Sequence, residues 1–247
     1  EVWTPSPFVP FEKLHNNVKY IPWGVDNDYY KRFYKYYKHR IDTFITVGRW
    51  SWRKGWKEIA WYFKNIVPHK KLIAVIYQPD EKTFEMLKSD NIEIIPSDIP
   101  QKDMQSLYTR ADAYISFSYG EGVGLPALEA AQSGLHMYLS DIPAYRHYIE
   151  ADDYFTTKKV MYKDIEKYGS SCSKYFDMPF YAVDTNAPEN MYDKTNKKRL
   201  SQTNVLTWEE VGAIIYQRLK ELEHELKCTN GDSYQKTQNV HFKGGLR

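Results

Sequence analysis

Cysteine is scarce in this chain, with only 2 among 247 residues. Cys172 and Cys228 stand far apart and outside any C-x-x-C spacing, which excludes a disulfide framework and gives no zinc signature. A reducing compartment is expected, and with it a cytoplasmic location. Long apolar runs are missing too. Stretches such as Leu72 to Tyr77 fall far short of the roughly 18 residues that span a bilayer, and no charged start leads into an apolar signal core. Neither a transmembrane segment nor secretion is expected. Lys plus Arg number 34 against 32 for Asp plus Glu, so the net charge of +2 lacks the excess a nucleic-acid binder carries. None of the 7 histidines stands in a ligand spacing, and His136 on a strand reads as structural. Asp26-Asn27-Asp28 follows Gly24-Val25 as a turn or helix cap would, so no metal site is expected. The chain starts at Glu1 and not Met, and it is expected to be a fragment, a processed form or part of something longer.

With 42% hydrophobic and 27% charged residues, the chain can bury an ample core, which excludes disorder throughout. From about residue 41 to 156, short apolar runs alternate with longer amphipathic ones, the pattern of βα units on a parallel sheet. Strands are predicted over Thr43 to Val47, Leu72 to Tyr77, Ile92 to Ile95, Ala113 to Ser118 and Leu135 to Leu139, with a weaker one near Tyr154. Trp56, Ile59, Ala60, Phe63 and Val67 recur at helical spacing, as do Phe84 and Leu87. Gly134 stands where a helix ends and the next strand starts. The fold class is thus α/β, a doubly wound parallel sheet. Residues 1–40 form a leading segment and linker, and 157–206, rich in Tyr, Lys, Asn and Asp, a surface excursion with some local structure. Thr207 and Glu210 make a capping box for a closing amphipathic helix over 207–228. The polar, aperiodic tail over 229–247 is expected to be mobile or engaged with a partner.

The densest motif is Gly120-Glu121-Gly122-Val123-Gly124-Leu125-Pro126-Ala127-Leu128-Glu129, between a predicted strand and helix. Glycines let a ligand approach backbone N–H groups where a helix N-terminus presents unpaired donors and a positive dipole, a natural phosphate seat. Pro126 suits a first helical turn. Glu121 ahead of the helix and Glu129 inside it can face one crevice at the strand C-termini, and carboxylates accept bidentate bonds from vicinal diols. Two carboxylates beside phosphates need cations nearby. Arg49 and Lys54, in Gly48-Arg49-Trp50-Ser51-Trp52-Arg53-Lys54-Gly55, can flank the same crevice from the end of the first strand. Taken alone, each feature has a plainer reading. Gly122 and Gly124 fit an ordinary tight turn, Glu129 a first-turn glutamate and Glu121 a solvated loop charge. Arg53, Lys54 and Lys57 fit the solvated face of a helix start, and Trp50, Trp52 and Trp56 are expected to pack or to cover the sheet edge.

The order G-R…K-G followed by E-G-x-G-L-P-x-L-E-A resembles retaining glycosyltransferases of family 4, which have the GT-B fold of two Rossmann-like domains. Trp3-Thr4-Pro5-Ser6, the stretch Ile21 to Asp26, and Leu107-Tyr108 followed by Ala111-Asp112 are similar to that family as well. The resemblance covers about residues 2 to 150 and the last helix. It implies that this chain is the C-terminal, nucleotide-sugar-binding half. Arg49 and Lys54 would hold the donor diphosphate, Glu129 the ribose and Glu121 the donor sugar. Backbone N–H groups of Gly122, Val123, Gly124 and Leu125 would take the sugar and distal phosphate, with Gly48 beside the cations and the base near the loop Ile95 to Ile99. The candidate catalytic residues are Glu121, Arg49 and Lys54, because negative charge grows on the leaving diphosphate and the cations stabilise it.

The sequence departs from the family pattern in two places. Pro96-Ser97-Asp98 stands where the family usually has a glycine, and His147 follows Arg146 where a glutamate is common. The donor substrate implied is a UDP- or GDP-linked sugar with no further cofactor, used without metal by a hexosyltransferase. The acceptor, whether glycan, lipid or protein, is unspecified, and a missing N-terminal acceptor domain is the implied partner. On that account the chain alone is expected to bind donor and to transfer poorly. Two other readings stand beside this one: a nucleotide-sugar epimerase, which shares the architecture, and a non-catalytic nucleotide-sugar-binding or assembly module.

Overall fold

The computed structural model describes residues 1–7, 15–26, 41–96, 99–160, 180–191, 193 and 205–241, without the side chains of residues 101 and 228–241. Two short strands, β1 (Val2–Thr4) and β2 (Val18–Tyr20), pair in parallel ahead of the main sheet. The sheet is built from β3 (Thr43–Arg49), β4 (Lys71–Tyr77), β5 (Ile92–Pro96), β6 (Ala113–Ser116), β7 (His136–Ser140) and β8 (Asp153–Phe155). Their spatial order is β5-β4-β3-β6-β7-β8, and every neighbouring pair is parallel. The sheet is Rossmann-like. From β3 the chain winds outward through β4 and β5, then returns across β3 to β6 and winds the other way. Such a reversal opens a crevice at the C-terminal ends of β3 and β6, where α/β folds place ligands.

Period-two alternation splits the core between the two faces of the sheet. Ile45, Ile73, Val75, Tyr114, Met137 and Leu139 pack on one side with Leu107, Tyr108, Ala127 and Leu128. Phe44, Leu72, Ala74, Ile76, Ile115 and Tyr138 pack on the other with Trp56, Ile59, Phe63 and Val67. Both faces are covered, which is why these strands read as near-continuous apolar runs. The covering helices are α1 (Trp56–Trp61, prolonged by a wider turn to Ile66), α2 (Glu81–Leu87), α3 (Gln101–Arg110), α4 (Leu125–Gln132) and α5 (Pro143–Tyr148). In α2 the inner face is Thr83 and Leu87, four apart, while Phe84 is exposed; the predicted Phe84–Leu87 pair is therefore half right. Gly134 takes φ +83 after α4, in the left-handed region that suits a glycine at a helix end.

The excursion after β8 is less superficial than its composition predicts. Its described parts include an antiparallel pair, β9 (Thr157–Val160) with β10 (Phe180–Val183), and Val183 joins the core of the second face. Asn190 is wholly buried and ties this return to the end of β8: its amide donates to the carbonyls of Thr156 and Asp184, and its Oδ1 accepts from the Thr156 N–H. Cys172 and the sequence around it lie outside the described residues.

The closing helix, α6 (Trp208–His241), starts at the predicted capping box, with Thr207 N–H on Glu210 Oε2 at 2.7 Å and Glu210 N–H on Thr207 Oγ1 at 3.2 Å. It does not stop near Cys228; the expected mobile tail is helical as far as His241. The reason is cooperative propagation: no proline interrupts the segment, and one more hydrogen bond per residue extends a helix already nucleated, even across Gly231. The helix packs against the leading segment. Trp208 meets the Trp23 ring edge-on at 5.3 Å, Val25 bridges Thr207, and Arg218 pairs with Glu1 at 2.5 Å. Among the described residues no helix is long and apolar enough to cross a membrane.

Candidate functional site

The chain leaves β6 at Ser116, two residues earlier than predicted, because Ser118 is turned into the loop contacts of the site. Its Oγ lies 2.6 Å from Glu121 Oε1 and within 3.2 Å of the carbonyls of Arg53 and Gly120. The loop then runs to Gly124, the N-cap of α4, at φ +84 and ψ 50. A Cβ there would come within 2.7 Å of the Tyr145 ring, so both conformation and space call for glycine. At Gly122 a Cβ would meet nothing within 4 Å. The first turn of α4 thus opens on the crevice beside a bare stretch of backbone, with its N–H donors and positive dipole end.

Opposite this turn stands the loop after β3. Ser51 caps a short turn over Trp52–Lys54, and Gly55 closes it at φ +68. A Cβ on Gly55 would lie 2.1 Å from the Phe117 carbonyl oxygen, so the two loops meet backbone to backbone. The Tyr119 N–H donates to the Arg53 carbonyl at 2.8 Å across the same seam. At Gly48 a Cβ would stand 3.3 Å from the Cγ and Cδ of Lys54, so the missing side chain leaves room for the lysine stem to lie along β3.

That stem delivers Lys54 Nζ to 2.6 Å from Glu121 Oε1, while Arg53 Nη1 lies 3.2 Å from Glu121 Oε2 and donates to the Gly120 carbonyl. The Glu121 side chain is only 7% exposed. Burial pushes its carboxyl upward, but the charges of Lys54 and Arg53 and the bonds from Lys54 and Ser118 outweigh this and hold it below the usual glutamate range. Glu121 is therefore a buried, ionised carboxylate between two cations. Glu129, one turn into α4, accepts from the Tyr108 hydroxyl at 3.0 Å, and Tyr108 is itself wholly buried in α3. Burial raises the phenol of Tyr114 most, and the charges of Glu121 and Glu129 add to the rise.

The structure brings Lys54 alongside Gly48 and onto Glu121, in the loop that runs through Gly122 and Val123 to Gly124 and Leu125 at the start of α4; Glu129 follows one turn further on, held by Tyr108. Arg49 stands apart from Glu121, its guanidinium over the Tyr77 ring at 5.4 Å. Ile99, half-buried ahead of α3, packs on the first-face core; Ser97 and Asp98 of the same loop lie outside the described residues. Arg53 is a correction. The sequence offers for it only the plain reading of a solvated helix start, but the tight turn closed by Gly55 brings it onto the glycine loop, and nothing in the local pattern signals that contact. Trp52 packs edge-on against Tyr119 and Phe180, at 5.6 and 5.3 Å, and Trp56 is buried, whereas Trp50 is exposed. His147 bonds Tyr20 at 3.2 Å, and His136 pairs with Asp152 at 3.0 Å as a structural contact. Among the described residues no group of three or more His, Cys, Asp or Glu could hold a metal ion; Asp28 lies outside them.

A family model described as glycosyl transferases group 1 matches residues 35–168, more than half of the chain. The chain belongs to that family. Every residue gathered around the α4 N-terminus lies inside the match. No curated protein sequence matches. Among solved structures, the chain is similar to a sucrose-phosphate synthase from Thermosynechococcus elongatus, with TM-score 0.60 and 15% identity over 91% of this chain and 58% of that one. It is similar also to Anabaena Alr3699/HepE, solved in complex with UDP and glucose, with TM-score 0.60 and 12% identity over 89% of this chain and 63% of that one. The fold is that of GT-B glycosyltransferases, and the chain spans about six tenths of the length of these two.

Proposed function

We propose that this chain is the donor-binding half of a retaining glycosyltransferase that moves a hexose from a UDP- or GDP-linked donor to an acceptor hydroxyl. The observation that carries the reading is the apposition of Lys54 and Glu121 at 2.6 Å beside the glycine loop, at the reversal point of the sheet. In this reading the donor diphosphate lies at the α4 N-terminus between Lys54 and Arg49, and the backbone N–H groups of Gly122 to Leu125 face the distal phosphate and sugar. Glu129, oriented by Tyr108, takes the ribose hydroxyls, and Glu121 reaches the donor sugar. The base lies against the segment ending at Ile99.

As the anomeric bond breaks, negative charge grows on the leaving diphosphate. Fixed cations and a helix N-terminus stabilise that charge without reorganising, which is the largest service such a site can supply. They also do the work for which other transferases use a metal, so donor binding is metal-independent. The acceptor approaches on the same face. The test separates three events: radiolabelled UDP- and GDP-sugars are mixed with the chain, and binding, release of free sugar and transfer to an acceptor are measured independently. Binding of one donor class with release or transfer supports the reading. Binding alone favours a nucleotide-sugar-binding module, and inversion at C2 favours an epimerase.

A further inference from the structure

We propose that Arg53 is a third cation of the diphosphate site, and that Glu121 holds Arg53 and Lys54 as an internal counter-anion which the diphosphate displaces. The proposal rests on the reading of the α4 N-terminus as the diphosphate seat. Arg53 uses Nη1 for both of its contacts, to the Gly120 carbonyl and to Glu121 Oε2, and no partner is placed on its Nε or Nη2 among the described residues. A guanidinium has five N–H donors in a flat fork, so one edge remains for a bidentate phosphate contact. Exposure points the same way: the Arg53 side chain is 35% exposed and that of Glu121 only 7%. An anion entering the crevice therefore reaches the free edge of the guanidinium before it displaces the carboxylate.

Charge decides the sign of the effect. Lys54 and Arg53 together carry two positive charges, and Glu121 cancels one of them. The carboxylate also occupies Lys54 Nζ at 2.6 Å, so it competes with phosphate for the same donors and repels it as a like charge. Removing the Glu121 charge while keeping its shape therefore frees both cations for the diphosphate. A residue that only pinned the loop would affect a nucleoside, its monophosphate and its diphosphate alike.

The experiment is titration calorimetry on the full chain with uridine, UMP and UDP, and with guanosine, GMP and GDP, at two salt concentrations. Wild type, Arg53→Met and Glu121→Gln are compared, each checked for folding by circular dichroism. The expected result is that Arg53→Met weakens diphosphate binding about tenfold, as the loss of one charge-assisted bond should. It should lower the salt dependence and leave nucleoside binding unchanged. Glu121→Gln should tighten diphosphate binding several-fold. If Arg53→Met fails to fold, Arg53→Lys keeps the charge without the fork and should weaken diphosphate binding less than tenfold. An unchanged preference for diphosphate over nucleoside in the Arg53 variants overturns the proposal, and so does weaker diphosphate binding by Glu121→Gln. A wild-type chain that binds neither diphosphate overturns the donor-site reading itself, and this proposal with it.

Discussion

Lys54 Nζ lies 2.6 Å from Glu121 Oε1, although the two residues are 67 positions apart in the chain. Two glycines make this approach possible, each by what it lacks. Gly48 leaves space on β3 for the lysine stem, and Gly55 lets the loop after β3 touch the backbone at Phe117. The ion pair is thus a consequence of where two Cβ atoms are missing, on strands that the sheet topology has already placed side by side.

Gly55→Ala should destabilise the fold. Its φ of +68 is unfavourable for alanine, and the new methyl would collide with the Phe117 carbonyl oxygen at 2.1 Å. A forced left-handed residue costs about 1–3 kcal/mol before any backbone shift. Urea unfolding checks this, with Gly122→Ala as the control, because a Cβ at Gly122 meets nothing within 4 Å and stability should change little. Equal stabilities for the two variants would defeat the account of the seam.

Most of the sheet and the ends of the glycine motif were legible because each rests on local chemistry. The βα alternation follows from strands buried on both faces, and Gly134 and the Thr207–Glu210 box are cap signals written in a few residues. The Lys54–Glu121 contact could be expected only as two loops flanking one crevice, since a pattern cannot give a distance. Arg53 and Tyr108 were not legible as partners of the two glutamates. Arg53 reads as a basic residue at a helix start, and Tyr108 enters only through the Leu107-Tyr108 stretch similar to the family, because their partners come from elsewhere in the chain. The length of the closing helix was missed for the opposite reason: local polarity spoke against it, while propagation from a strong start carried it on.

Glu129→Ala should weaken binding of the bare nucleoside diphosphate by about 1.5–3 kcal/mol, the value of a hydrogen bond to a charged group. Glu121→Ala should not, because its assigned sugar is absent from that ligand. Tyr108→Phe removes the hydroxyl 3.0 Å from Glu129 Oε2, and it should cost less than Glu129→Ala, about 0.5–1.5 kcal/mol. Calorimetry with the diphosphate reads all three. Equal losses for the two glutamate variants would contradict the separate ribose and sugar roles.

Donor binding should survive EDTA. Lys54, Arg53 and the first turn of α4 already supply the positive charge that a divalent ion would bring. Affinity for the nucleotide sugar is measured before and after chelation, and a loss reversed by Mg²⁺ or Mn²⁺ would return Asp26 and Asp28 to consideration as ligands.

Acid should erase the contribution of Glu121 to stability. Burial raises its carboxyl and the Lys54 and Arg53 charges lower it further, so the folded protein holds this proton less tightly than the unfolded chain. A group depressed in the folded state stabilises above its unfolded value, about pH 4.3 for a free glutamate, and that stability is lost as pH falls through the folded value. Asp80, Asp141 and Asp184 are depressed too and will lower the acid stability of any variant. Their effect cancels when wild type is compared with Glu121→Gln. The stability gap between the two should therefore be widest above about pH 5 and close progressively below pH 4.3. Chemical denaturation at a series of pH values from neutral downward measures that gap directly. A gap that stays constant or widens in acid would mean that the two cations do not overcome the burial of Glu121, and that it is not the ionised counter-anion its geometry describes.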